Sequence, residues 1–175
     1  YHLLLPGYLP IILPEIKKEI IISLRKIGYA NNNITSKLIE LLDTEGPVIR
    51  MQTAKTIGEI SDSDREVHRA LVDRLNDVNK DVRVSVIAAL ASLNMKSEAT
   101  TSDLIEIAFN KEENMEVRKE AVKTIPHTGS ADDISLQLIE LFKEEELVDV
   151  VQNSLLKVGK KAIPYLKQGL NHRNE

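Results

Sequence analysis

An eight-residue pattern recurs five times along the 175-residue chain, and its spacing constrains the fold more than any other feature. In each copy, a reference residue is followed by small or apolar residues three and four positions later, an aliphatic residue seven later, and glycine or a substitute eight later. The reference residues are Ile20, Arg50, Arg83, Arg118 and Val151, at intervals of 30, 33, 35 and 33 residues. Positions three, four and seven share one helical face. The period therefore predicts stacked units, each burying its apolar face against its neighbours.

Each repeat contains two segments with helical periodicity, and short polar breaks separate them. Gly46-Pro47 interrupts the chain before one second helix, where Pro47 suits a first helical position. Ser63-Asp64-Arg65-Glu66 matches a capping box at the start of a first helix. Asn79 and Asn114 are predicted N-caps of the second helices that follow them. These signals predict an all-α fold of about five helix pairs in a right-handed superhelix.

The amino-terminal stretch is apolar but contains Pro6, Pro10 and Pro14. We expect the prolines to break it, leaving a helix from Glu15 to Ile27 with at most a short helix before it. The breaks elsewhere are too short for linkers, so residues 1–175 are predicted to form a single domain. Because the chain begins without Met, we take it as a fragment of a longer protein.

Composition argues against several classes of function. The net charge of −4 argues against a general nucleic-acid binder, which needs a cationic surface. The chain has no Cys, which rules out disulfides, thiolate metal sites and a cysteine nucleophile. No stretch approaches the roughly 20 apolar residues that span a bilayer. We therefore predict a cytoplasmic protein. The spacing of the four histidines matches no metal-binding motif: His2, His68, His127 and His172. We therefore predict neither a metal site nor a cofactor.

Several second helices resemble those of the HEAT-repeat family, in particular the short repeats of phycobilisome-lyase-like proteins. The segment Asp81-Val82-Arg83, followed by Val86, Ile87, Ala89 and Leu90, carries the resemblance. Two other segments share it: Glu116-Val117-Arg118 with Ala121, Val122 and Ile125; and Val48-Ile49-Arg50 with Ala54, Ile57 and Gly58. The segment Ala162-Ile163-Pro164 with Leu166 resembles the opening of the family's first helix. The resemblance spans about residues 8–170. Because HEAT-repeat proteins serve mainly as scaffolds, the resemblance implies a scaffold more than an enzyme.

The acid-x-Arg pairs of the third and fourth copies suggest an ordered ladder. We expect each arginine to bind a carboxylate of its own or the next repeat at the turn between helices, because a guanidinium fits a carboxylate fork. The predicted ladder consists of Arg50, Asp81, Arg83, Glu116 and Arg118.

Second helices line the concave side of HEAT stacks, so the resemblance places residues one, two and five positions after the reference in a groove. An apolar strip of Ile21, Met51 and Val84 would lie beside interrupted cations. Such a surface suits a peptide or helix with acidic character. The predicted partner-binding residues are Ile22, Arg25, Met51, Lys55, Val84, Ala88, Lys119, Lys123 and Leu156.

The sequence thus predicts a non-catalytic scaffold that binds a protein or peptide, with no catalytic residues and no membrane contact. Two alternatives stay open. A chromophore-lyase-like enzyme subunit is implied by the resemblance, although no nucleophile or base is evident. A nucleic-acid-binding solenoid is disfavoured by the net charge.

Overall fold

The computed structural model describes residues 9–61 and 64–171, which form helices, turns and no strand. The chain divides into two compact units, Tyr1–Leu93 and Asn94–Glu175, and each is described by itself. The single domain expected from the sequence stays a prediction. The helices of the first unit are α1 (Leu9–Ile27), α2 (Asn32–Thr44), α3 (Pro47–Ile60), α4 (Arg65–Val72) and α5 (Lys80–Leu93).

The second unit contains the remaining helices and three short 3-10 segments. The helices are α6 (Glu98–Phe109), α7 (Met115–Thr128), α8 (Ala131–Glu140), α9 (Val148–Val158) and α10 (Ile163–Asn171). The 3-10 segments are Leu141–Lys143 and Glu145–Leu147 before α9, and Gly159–Ala162 before α10. The all-α prediction is confirmed. In the described part of the chain, no helix combines the length and apolarity needed to cross a membrane.

The expected break at the amino-terminal prolines is wrong. Helix α1 is continuous from Leu9 to Ile27 and includes Pro14 in its interior. A proline there removes one backbone hydrogen bond and crowds the preceding turn. The helix continues because its later turns carry the apolar residue Ile21, which is buried. Tertiary burial therefore outweighs the local cost of the proline. Pro6 and Tyr8 lie outside the described residues.

The predicted N-caps explain most of the helix starts. Asn79 Oδ1 accepts hydrogen bonds from the amides of Asp81 and Val82 at the start of α5. Asn114 caps α7 by accepting from the Glu116 amide. Ser63, the expected cap of α4, lies outside the described residues, and Asp64 caps that helix instead. Ser, Thr, Asp and Asn are favoured here because their side chains accept from the free amides of the first turn.

The repeat register is confirmed in the middle of the chain. The residues three, four and seven positions after the three reference arginines are almost completely buried: Thr53, Ala54, Ile57, Val86, Ile87, Leu90, Ala121, Val122 and Ile125. The first copy departs from this pattern, since Ile20 is 54% exposed and Ile27 is 72% exposed. Its helix has the same sequence pattern but lacks a covering neighbour among the described residues. Burial in a repeat depends on the neighbour as much as on the sequence.

Glycine at the eighth position has a packing role in the second copy. A Cβ atom at Gly58 would lie 2.7 Å from the Ala89 Cα atom. Helices α3 and α5 therefore approach each other closely at this point, which any larger side chain would prevent. Small residues at matching positions set the distance between neighbouring second helices.

Candidate interaction surface

Consecutive second helices lie side by side within each unit. Helix α3 packs between α1 and α5 in the first unit, and α7 packs against α9 in the second. Two buried hydroxyls join such neighbours: Thr56 Oγ1 donates to the Ile21 carbonyl at 3.4 Å, and Ser154 Oγ donates to the Val122 carbonyl at 2.9 Å. The second helices of each unit thus form a continuous row on which a partner can lie.

The predicted binding residues are here called the second-helix surface. In the first unit, Lys55 is exposed and the other members are partly exposed: Ile22, Arg25, Met51, Val84 and Ala88. The Arg25 guanidinium lies 3.9 Å from a Glu59 carboxylate oxygen. This part of the surface combines partly exposed apolar side chains with an exposed lysine.

Ile21 does not belong to this surface, contrary to the predicted apolar strip. Its side chain is only 2% exposed. The residue lies where α1 packs against α3, and its carbonyl accepts the hydroxyl of Thr56. The position that follows the reference residue is therefore buried in α1, whereas the equivalent residues Met51 and Val84 are partly exposed.

The second unit contributes fewer apolar residues. Lys119 is partly exposed and Lys123 is exposed, with the Lys123 ammonium 2.9 Å from a Glu120 carboxylate oxygen. Leu156 in α9 is 76% exposed. The cations of this unit are thus partly balanced by a carboxylate on the same helix.

Three arginines occupy the reference positions at the starts of α3, α5 and α7. Arg50 Nε and Nη2 donate to the two carboxylate oxygens of Asp77 at 2.7 and 2.8 Å, and Nη1 donates to the Glu45 carbonyl. Arg83 Nη1 donates to the backbone carbonyl of Asp77 at 2.7 Å. Asp77, in the turn between α4 and α5, therefore binds arginines from two successive repeats.

Asp77 is buried, and its pKa reflects competing effects. Burial by itself raises the pKa of a carboxyl group. Hydrogen bonds from Arg50 and the Asn79 amide, together with the positive charges of Arg50 and Arg74, outweigh burial and hold the pKa of Asp77 below its ordinary value. The same pair raises the pKa of Arg50, chiefly through its hydrogen bond to Asp77. Both groups are therefore charged at neutral pH.

Arg118 repeats this arrangement in the second unit. It is buried, its Nε donates to the Ala108 carbonyl at 2.9 Å, and its Nη2 donates to Glu144 at 2.7 Å. The predicted acids are exposed: the Lys80 ammonium lies 3.5 Å from an Asp81 carboxylate oxygen, and Glu116 is in the first turn of α7. Glu144, like Asp77, lies between a first helix and the second helix that follows it, a position that the acid-x-Arg spacing does not reveal.

The second unit also contains a cleft that sequence reasoning did not indicate. Its volume is about 490 Å³, and it lies where α6, α7 and α8 meet the segment after α9. Lys96 in its wall donates to the carbonyls of Pro126 and Gly129. The neighbouring His127 has a pKa below its usual value because it is partly buried and close to Lys157 and Lys96. Opposite charges also line the cleft: Glu98, Asp133, Lys157 and Lys161.

The described residues, 9–61 and 64–171, contain no group of three or more His, Asp or Glu side chains placed to hold a metal ion. Arg50, Arg83 and Arg118 donate hydrogen bonds to carboxylates and backbone carbonyls.

Comparison with known proteins agrees with this architecture. The profile of a family described as HEAT repeats matches residues 68–158. An engineered protein solved by the Northeast Structural Genomics Consortium is similar in fold, with a TM-score of 0.57 and 18% identity over 89% of this chain and 75% of that one. A designed armadillo repeat protein in complex with the peptide (KR)4 has a TM-score of 0.54 and 20% identity, over 89% of this chain and 85% of that one. No curated protein matches the chain in a sequence comparison.

Proposed function

We propose that this chain, which belongs to the HEAT-repeat family, is a non-catalytic scaffold that binds another protein or a peptide along its second-helix surface. The observation that supports this most is the row formed by α1, α3 and α5, on which Ile22, Met51 and Val84 remain partly exposed beside an exposed Lys55. Partly exposed apolar residues supply anchors, and nearby charges select the partner. This surface is the face that the sequence predicts to be concave.

The partner that we infer is acidic. The designed armadillo protein of similar fold binds a peptide of alternating Lys and Arg. The second-helix surface of this chain instead carries the cations Arg25, Lys55, Lys119 and Lys123. Complementary potentials favour association and suppress the wrong partners. A partner segment with Asp or Glu next to aliphatic residues therefore fits this surface better than a basic one.

Binding to fluorescent peptides tests this proposal. We expect an extended peptide of alternating Glu and Leu to bind more tightly than its Lys and Leu counterpart, with an affinity that falls as salt is added. The variant Lys55→Glu should weaken binding of the acidic peptide by roughly threefold to tenfold, because the substitution replaces an attraction with a repulsion.

The matched control is Lys37→Glu, which makes the same change in net charge at an exposed lysine of α2, outside the second-helix surface. It should leave the affinity nearly unchanged. Equal weakening by both variants would show a general charge effect and would contradict the proposed surface.

Two further experiments test the alternatives that the sequence left open. A spectral shift on incubation with a bilin would support a chromophore-lyase-like subunit. A salt-dependent mobility shift with nucleic acid would support a nucleic-acid-binding solenoid. The cytoplasmic location stays a prediction, which cell fractionation tests.

A further inference from the structure

A proline in the last turn of α7 removes one backbone donor from that helix. Pro126 has no N–H group, so the carbonyl of Val122, four residues earlier, lacks the amide that it would bind in a regular helix. Val122 is completely buried. Because a buried carbonyl without a donor costs folding free energy, this group needs a hydrogen bond from elsewhere in the fold.

Ser154, in α9, supplies that hydrogen bond. Its side chain is buried, and its Oγ donates to the Val122 carbonyl at 2.9 Å. Pro126 lies eight positions after its reference residue, and Ser154 lies three positions after the reference residue of the next copy. A hydroxyl of one repeat therefore replaces a backbone amide of the preceding repeat.

The first two copies of the pattern show the same positions without a proline. The Leu24 carbonyl, which is equivalent to that of Val122, accepts the amide of Gly28 at 3.1 Å. Thr53, which is equivalent to Ser154, is completely buried, and its hydroxyl has no hydrogen-bond partner in the part of the chain that the structure describes. The bond between repeats is thus present where a proline has removed the amide and absent where the amide is in place.

Other carbonyls at the end of α7 are bound from within its own repeat. Lys96 Nζ donates to the carbonyls of Pro126 and Gly129 at 2.9 and 2.8 Å. Lys96 precedes α6, the first helix of the same repeat. These bonds do not involve α9, whereas the bond from Ser154 does. Ser154 therefore links the end of α7 to the repeat that follows.

We propose that Pro126 and Ser154 are a matched pair that couples the last turn of α7 to the docking of α9. When α9 separates from α7, the Val122 carbonyl loses its donor, and the amide that would replace it is missing. The last turn of α7 and α9 therefore open together and not one at a time. The stability of a repeat protein depends on the interfaces between neighbouring repeats, and this pair makes one such interface cooperative. The coupling does not depend on the proposed partner or its surface.

A double-mutant cycle tests the proposal. Ser154→Ala should lower the thermal midpoint of the whole chain by several degrees, because it leaves the Val122 carbonyl buried without a donor. Pro126→Ala restores a backbone amide that can bind this carbonyl. In the Pro126→Ala background, Ser154→Ala should therefore lower the midpoint by less than about half as much. Equal losses in the two backgrounds, or no loss in the wild-type background, would overturn the proposal.

The matched control is Ser135→Ala. Ser135 is completely buried in α8, and its Oγ donates to the Ala131 carbonyl of the same helix at 2.6 Å. Regular helix geometry provides that carbonyl with the Ser135 amide as well, so losing the hydroxyl should lower the midpoint only slightly and equally in both backgrounds. If the control also changed with Pro126→Ala, the proline substitution would act on the whole unit and the coupling would be disproved.

Hydrogen exchange followed by mass spectrometry tests the joint opening directly. Val151→Ala removes part of a completely buried side chain of α9 and should weaken its docking. In that variant, the amides of α9 and those of the last turn of α7 should both exchange faster. Adding Pro126→Ala should restore slow exchange to the last turn of α7 while α9 still exchanges fast. Slow exchange of that turn in Val151→Ala alone would contradict the coupling.

Discussion

Arg50 in α3 forms a two-point ion pair with Asp77, which lies 27 residues later in the turn that precedes α5. The Asp77 oxygen that binds Arg50 Nη2 also accepts the amide of Asn79. A single carboxylate thus joins the start of one second helix to the turn before the next. Its position explains why an arginine at the reference position stabilises the stack.

Removing the Asp77 carboxylate should destabilise the first unit. Asp77→Ala is expected to lower the free energy of unfolding by about 2–3 kcal/mol, since Arg50 would keep a partly buried charge without its partner. Urea denaturation followed by circular dichroism measures the loss. The control is Asp81→Ala, which removes an exposed acid of the first turn of α5 and should cost less than about 1 kcal/mol. Equal losses would mean that Asp77 has no special role.

The same pair predicts a dependence of stability on pH. The folded-state pKa of Asp77 is depressed, so its contribution is present above the unfolded-state pKa of about 3.9 and is lost as pH falls through the folded-state pKa. Asp77→Asn should therefore be less stable at neutral pH and lose less additional stability on acidification. Denaturation at pH values on both sides of the unfolded-state pKa tests this. Asp73→Asn, which removes a carboxylate from an exposed site nearby, is the matched control.

The close approach of α3 and α5 at Gly58 predicts a sensitive site. Gly58→Ala should destabilise by about 1–3 kcal/mol, because the new methyl group would overlap the backbone and side chain of Ala89. In an open helix the same change would be slightly stabilising. Gly46→Ala is the comparison, since nothing lies within 4 Å of the added Cβ, and it should cost less. A thermal midpoint for Gly58→Ala equal to that of wild type would contradict the packing described.

Burial of the seventh position predicts a large effect at Leu90. Leu90→Asp should unfold the first unit, because it places an unpaired carboxylate at a fully buried site. Leu156→Asp makes the same chemical change at an exposed position of α9 and should alter stability by no more than about 0.5 kcal/mol. Far-ultraviolet circular dichroism and thermal denaturation compare the two. Native-like melting of Leu90→Asp would place the register in error.

Helix positions, caps and core register were predictable because they depend on local periodicity. Asn79 and Asn114 each accept a hydrogen bond from an amide close by in the sequence. Ile57 and Leu90 are buried because the apolar faces of their helices pack against neighbouring helices. The course of α1 through Pro14 was not predictable, since local rules disfavour that proline and tertiary burial retains it.

What the sequence by itself determined is the repeat: its length, its two helices per unit and the residues that form its buried face. These features follow from the periodicity of the α-helix, which depends on residues that are close together in the sequence. Only the tertiary structure decided that Asp77 binds Arg50 and Glu144 binds Arg118, and that Ile21 is buried while Ile20 remains exposed. Those outcomes depend on which groups the turns bring together from distant positions and on whether a helix has a neighbour.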